Sequence, residues 1–206
     1  MGDVNQYRWV ERHRARLRAP LLEIGSRHYA KETSSDFRSL CAAHDYLGVD
    51  MSAGANVDLV VDFTDSFAAV DRALGNRRFG TILCLSVMEH VRDIVSFANN
   101  LTAATAPGGI LFLSVPFSWR FHGYPSDYFR FTPEGVKQLF PRFAFEDEAG
   151  MLSSNVAGDT ASFSADVNAF MVQKPSRSLW ARIAGKRASY LLKPTMISML
   201  GTLRAG

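Results

Sequence analysis

Gly80-Thr-Ile-Leu-Cys-Leu-Ser-Val-Met-Glu-His-Val-Arg-Asp93 and, one helix later, Ala106-Pro-Gly-Gly-Ile-Leu-Phe-Leu-Ser-Val-Pro116 decide how this chain folds. Phe79–Val87 and Ile110–Val115 are apolar runs without a charge, the pattern of strands covered on both faces. Between them Val87, Val91, Ile94, Val95, Ala98 and Leu101 recur at helical spacing and form one apolar stripe. Pro107-Gly108-Gly109 ends that helix. Upstream, Leu21–Gly25, Tyr46–Asp50 and Val57–Phe63 read as three more strands. Between them lie a helix over 35–43, capped by Ser34 or Ser35, and another over 66–75 that stops near Gly75-Asn76. A first helix over 5–18 ends at Pro20. Downstream, Thr132-Pro133-Glu134 opens a helix, and 143–149 and 166–173 are the last strand candidates. Strands alternating with helices predict an α/β fold, a mostly parallel sheet with helices on both faces. Such sheets bind ligands outside the carboxyl ends of their strands.

A chain of 206 residues with 47% hydrophobic and 21% charged content is long enough for one globular domain with a real core. No apolar run is long enough to span a bilayer, and the arginine-rich N-terminus has no signal-peptide core, so the expected location is cytoplasmic. Cys41 and Cys84 lack metal-ligand spacing and read as buried thiols; no metal is expected. Residues 177–206 carry six cations and no acid, residues 1–19 are net +3, and the body between them is net −6. A negative body argues against a nucleic-acid groove. The composition divides the chain into a domain over 1–176, with its N-terminal helix, and a basic amphipathic tail over 177–206. In the tail Leu179, Trp180, Ile183, Tyr190, Leu191 and Leu192 interleave with cations. Two readings of it stand: peripheral contact with the inner surface of an anionic membrane, or packing on the body or in a homodimer.

Strand ends at Glu23-Ile-Gly-Ser-Arg27 and Asp50, together with Glu89-His-Val91 after the fourth strand, resemble the class I S-adenosylmethionine-dependent methyltransferases. The similarity is greatest to small bacterial ones of the type 11-like family. It covers roughly residues 19–175 and implies a Rossmann-like, seven-stranded, mostly parallel sheet and S-adenosyl-L-methionine as cofactor. Asp50, followed by Met51, ends strand two, where one carboxylate can accept from both ribose hydroxyls. The first loop keeps one glycine of the family's three, reading Glu23-Ile-Gly25-Ser26-Arg27. That argues against a dinucleotide pyrophosphate, which needs several backbone amides close by. The resemblance gives Glu23 to the cofactor's ammonium, directly or through water, and Arg27 to its carboxylate. Asp62 and Phe63 offer adenine an acceptor and an apolar wall, with Asp65 competing for the acceptor role. Ser86 closes the cofactor set.

On the reacting side, the resemblance sets Glu89 and His90 beside methyl transfer, with His90 as a base or as a lining residue. Residues 117–131 form a long loop with seven aromatics, and loops of this length are commonly functional. Trp119, His122, Tyr124, Asp127, Tyr128 and Arg130 are its polar handles for a small-molecule acceptor, with pairing of Asp127 and Arg130 to each other as the alternative for those two. The family's Asp-Tyr-x-Arg-x-Thr-Pro stretch is matched by Asp127–Pro133. The expected activity is methylation of a small molecule, a sugar or an envelope-glycolipid precursor. The alternative is a catalytically silent module of the same fold that acts by binding or dimerisation, favoured by the two missing glycines.

Overall fold

The computed structural model describes residues 4–28, 36–123, 126–163, 170–173 and 191–205. Strands β1 (Leu21–Ile24), β2 (Tyr46–Asp50), β3 (Leu59–Val60), β4 (Phe79–Leu85), β5 (Thr105–Ser118), β6 (Phe143–Ser153), β7 (Thr160–Ser162) and β10 (Thr195–Leu203) form one eight-stranded sheet. Its order is β3-β2-β1-β4-β5-β10-β6-β7; β8 (Val172–Gln173) and β9 (Leu191–Leu192) pair separately. Strands β1 to β5 run parallel, and β10 pairs antiparallel with both β5 and β6. The mostly parallel sheet expected from the sequence is present, with eight strands in place of seven.

Alternation along the strands divides the core into two layers. Leu21, Leu83, Leu85, Ile110, Phe112 and Leu200 face one side, where they meet Trp9 and Val10 of α1 (Val4–Arg12) and Phe37 of α2 (Phe37–Leu40). Leu22, Ile24, Ile82, Cys84, Leu111 and Leu113 face the other. There they meet Val70 of α3 (Phe67–Ala73), Phe97 and Leu101 of α4 (Ile94–Ala104) and Val136 and Phe140 around α5 (Pro133–Leu139). The caps follow side-chain chemistry. Ser66 accepts from Ala69 N and Thr132 from Gly135 N, and Asp36, in place of the serines before it, accepts from Ser39 N.

Two expectations are corrected. The helix anticipated from Val87 begins only at Ile94, because the Asp93 carboxylate caps it through Ser96 N (3.0 Å) and Val91 is extended. Met88–His90 is instead a single 3-10 turn that sets Glu89 and His90 directly against the end of β4. The separate tail over 177–206 also gives way. Thr195–Leu203 is an interior strand with Ile197 and Leu200 fully buried, because a charge-free run of Thr195-Met-Ile-Ser-Met-Leu200 has two apolar faces to cover. Lys193 just before it is paired with Asp159 at 2.9 Å. Arg177, Arg182, Lys186 and Arg187, on which the membrane reading rests, lie outside the described residues. Among the described residues no helix is long and apolar enough to cross a membrane.

If β10 is part of the core, Leu200→Ala should destabilise the protein by about 2–5 kcal/mol in urea unfolding, as for other buried leucine truncations. A loss below about 0.5 kcal/mol, typical of surface changes, would place this segment outside the core.

Candidate active site at the carboxyl ends of the strands

The sheet order reverses between β1 and β4, and the two chain ends that leave this point nearly touch. Gly25 follows β1 with φ of +79°, and a β-carbon there would lie 2.4 Å from Val87 Cγ2. Only glycine suits both the dihedral and the space. Ser26, Arg27 and His28 are not left-handed, so the backbone at Arg27 has no need of the glycine absent there; the third glycine position, Tyr29, lies outside the described residues. The loop is held from the neighbouring strand: Gly25 N and Ser26 N both donate to Val49 O, and Asn56 Nδ2 donates to Ser26 O. Arg27 lies across Gly54, where a β-carbon would come within 2.7 Å of its Nε.

Glu23 is buried beneath this loop and accepts from the Tyr46 hydroxyl. Burial raises its pKa from 4.5 to about 7, against the opposing pull of the Tyr46 hydrogen bond. Asn56 Nδ2 also reaches the Tyr46 hydroxyl (3.3 Å), and Arg38 stacks on the Tyr46 ring at 4.5 Å while pairing with Asp58 at 2.7 Å. Glu23 therefore belongs to a buried polar network that ties β1, β2 and the following loop together. Asp50 ends β2, and its Oδ1 accepts from Ser52 N (2.9 Å). Its second oxygen makes no hydrogen bond among the described residues. Met51 beside it is exposed.

The structure corrects two expected cofactor contacts. Phe63 turns into the core, 5.8 Å from Phe97, and so offers no open wall, whereas Asp62 stays half-buried and binds Thr64 N and Oγ1. The Ser86 hydroxyl is taken up from the N-terminal helix: Gln6 Nε2 donates to Ser86 Oγ (3.0 Å) and to Ser114 Oγ (2.8 Å). Ser86 itself holds a left-handed φ of +57°, a strained conformation at the very end of β4. Gln6 had no signal in the sequence beyond its place in a short amphipathic helix.

The 117–131 loop folds back onto Glu89 and His90. Tyr128 N donates to Glu89 O (2.7 Å), and Ser126 O accepts from His90 Nδ1 (2.5 Å). Glu89 is 1% exposed, its Oε1 lies 3.9 Å from His90 Nε2, and burial raises its pKa from 4.5 to about 7. Burial lowers the His90 pKa, partly offset by the Ser126 bond, so the ring is neutral at neutral pH. His122 meets His90 edge-on at 5.0 Å. Asp127 is buried and clamped by Arg130 through both oxygens (2.5 and 2.8 Å), which holds its pKa down to about 2. Arg130 also donates to the carbonyls of Trp119, Arg120 and Phe129. Asp127 and Arg130, expected to contact substrate, therefore shape the loop from within. Half-buried Trp119 and exposed Tyr128 remain on its surface, and Tyr124 lies outside the described residues.

The profile of a family described as a methyltransferase domain matches residues 8–155. The chain belongs to that methyltransferase family. No protein of curated function shows significant sequence similarity to it. Among solved structures, a SAM-dependent methyltransferase from Archaeoglobus fulgidus aligns with a TM-score of 0.58 at 13% identity, over 97% of this chain and 93% of that one. The YcgJ protein of Bacillus subtilis aligns at 0.60 and 12% identity, over 99% and 100%. A Burkholderia thailandensis 1,6-didemethyltoxoflavin-N1-methyltransferase, solved with its substrate and S-adenosylhomocysteine, aligns at 0.53 and 13% identity, over 98% and 77%. These likenesses establish the class I methyltransferase fold.

S-adenosyl-L-methionine is the methyl donor of enzymes with this fold, and the strand ends of this methyltransferase suit it. Gly25 lets the turn after β1 pack against the Val87 side chain at the switch point, and Asp50 has a carboxylate oxygen to spare for a ribose diol.

Because Glu23 is held neutral in the fold to about pH 7 but ionises near 4.5 when unfolded, its stabilising effect is full at low pH and is lost as pH rises through 7. Glu23→Gln should therefore flatten the fall in stability between pH 5 and pH 8 by roughly 1–3 kcal/mol, read from denaturant melts at each pH. An unchanged pH slope would mean that Glu23 is ionised inside the fold.

Proposed function

We propose that this methyltransferase moves the methyl group of S-adenosyl-L-methionine to a small-molecule acceptor held under the 117–131 loop. The observation that carries the reading is the placement of Asp50 and Glu89-His90 at the ends of β2 and β4, on either side of β1 and its Gly25 turn. Bound at this point, the cofactor supplies an electrophilic methyl carbon on a sulfonium. The chain has to hold two molecules in line and keep water out. Asp50 accepts from the ribose hydroxyls, and Asp62 at the end of β3 accepts from the adenine amino group. Glu89 and His90 border the reacting atoms.

The acceptor class that the loop suits is a sugar or an envelope-glycolipid precursor. Trp119, Phe121 and Tyr128 offer half-buried or exposed rings next to the end of β5, and such rings stack on sugar faces.

Calorimetric titration with S-adenosylhomocysteine tests the reading. The wild-type protein should bind it, and Asp50→Ala should weaken binding by about 1–3 kcal/mol, the value of hydrogen bonds to a charged group. Undiminished affinity in the variant would move the ribose elsewhere. No binding by the wild-type chain would favour the silent module.

A further inference from the structure

Glu89, His90 and His122 bring one ligand atom each within 4.8 Å of one another. Two are adjacent on the 3-10 turn after β4, and the third arrives from the folded-back loop. One atom of this cluster needs a partner that packing does not supply, and two imidazole nitrogens are placed to share that partner. Glu89 Oε2 is buried without a hydrogen bond, an arrangement native proteins rarely leave uncompensated. His90 Nδ1 donates to Ser126 O (2.5 Å), and a carbonyl can only accept, so the proton is on Nδ1 and the lone pair of the neutral ring is on Nε2, facing Glu89. His122 Nδ1 is placed in the same way, 3.1 Å from Arg120 O and 3.3 Å from the Asp127 carboxylate, so Nδ1 is the donor and Nε2 is the ring atom left for a ligand. A histidine whose Nδ1 proton is held by a carbonyl or carboxylate presents Nε2 as a metal ligand. The Asp127–Arg130 clamp that shapes the loop also fixes the carboxylate that orients His122.

We infer that Glu89, His90 and His122 bind a divalent first-row transition ion of the Zn2+ class at the mouth of the site. Two imidazoles and one carboxylate suit such an ion better than Mg2+ or Ca2+, which prefer all-oxygen shells. Ligand atoms about 2.1 Å from one tetrahedral ion stand about 3.4 Å apart, so the 3.9 Å Glu89–His90 pair closes by roughly half an ångström on binding. Three protein ligands leave a position open, as catalytic zinc sites do. An acceptor oxygen in that position would lose its proton more readily. That last role rests on the methyl-transfer reading; the ion site does not.

The test uses the full chain, stripped with chelator and titrated with Zn2+ by calorimetry, with Co2+ absorption as a second readout. One equivalent of Zn2+ should bind, Mg2+ at millimolar excess should not displace it, and Co2+ should give the visible bands of a low-coordinate nitrogen-oxygen site. His122→Ala and His90→Gln should each weaken Zn2+ binding at least tenfold, Asp127→Asn by about tenfold as an orienting residue, and His13→Gln should not change it. Each variant is accompanied by its circular dichroism melt. Should the loop variants misfold, the wild-type Co2+ spectrum still decides. No Zn2+ binding, a Co2+ spectrum of the hexaaqua ion, or equal affinity in folded His90 and His122 variants would overturn the site. Zn2+ binding that persists in a protein unable to bind S-adenosylhomocysteine would contradict the methyl-transfer reading and leave the ion site standing.

Discussion

Strand β10 is hydrogen-bonded on both sides, to β5 and to β6, although it is the last in chain order among the described residues. Strands β6 and β7 depend on it, because among the described residues they have no other attachment to the sheet. The dependence extends to the far end of the chain. The carbonyl of Ala149 on β6 accepts from Trp9 Nε1 (2.7 Å), and Ser154 O just past β6 accepts from Asn5 (3.0 Å). These bonds seat α1, whose Gln6 then reaches Ser86 and Ser114, while Ser198 of β10 donates to Ser114 (3.0 Å). A buried polar chain of Gln6, Ser114 and Ser198 thus links both termini beneath the end of β4. Fully satisfied networks of this kind specify one arrangement of their elements.

The same economy of space governs the ligand side. The Val87 side chain packs so closely on Gly25 that no side chain fits at position 25, which fixes the course of both loops at the switch point. The shortened glycine pattern of the first loop is compatible with this geometry. Ser26, Arg27 and His28 hold no left-handed dihedral, and Ser26 is anchored by Val49 O and Asn56. What looks in sequence like a decayed cofactor loop is in structure a loop whose shape is set by the strand next to it.

Local pattern was sufficient for β1, β2, β4, α3 and α5, where apolar runs and caps such as Ser66 and Thr132 agree with the tertiary arrangement. Thr195–Leu203 was misread because basic residues before it coloured a composition window; its own nine residues carry no charge and fit a doubly covered strand. Family resemblance placed Asp50 and Glu89-His90 at strand ends. Partners brought in by long-range folding were not legible: Tyr46 on Glu23, Gln6 on Ser86, and His122 against His90 lie 23, 80 and 32 residues from those they meet. For Asp127 and Arg130 the sequence offers both substrate contact and a mutual pair, and at a spacing of three they close on each other.

The most direct measurement is a crystal structure of the protein with S-adenosylhomocysteine. The ribose hydroxyls should lie within hydrogen-bond distance of the Asp50 carboxylate, the homocysteine tail over the Gly25 turn, and the sulfur should point toward Glu89 and His90. A ligand bound elsewhere, or bound with its sulfur turned away from His90 and the 117–131 loop, would contradict the assignment of this strand-end crevice as the methyl-transfer site.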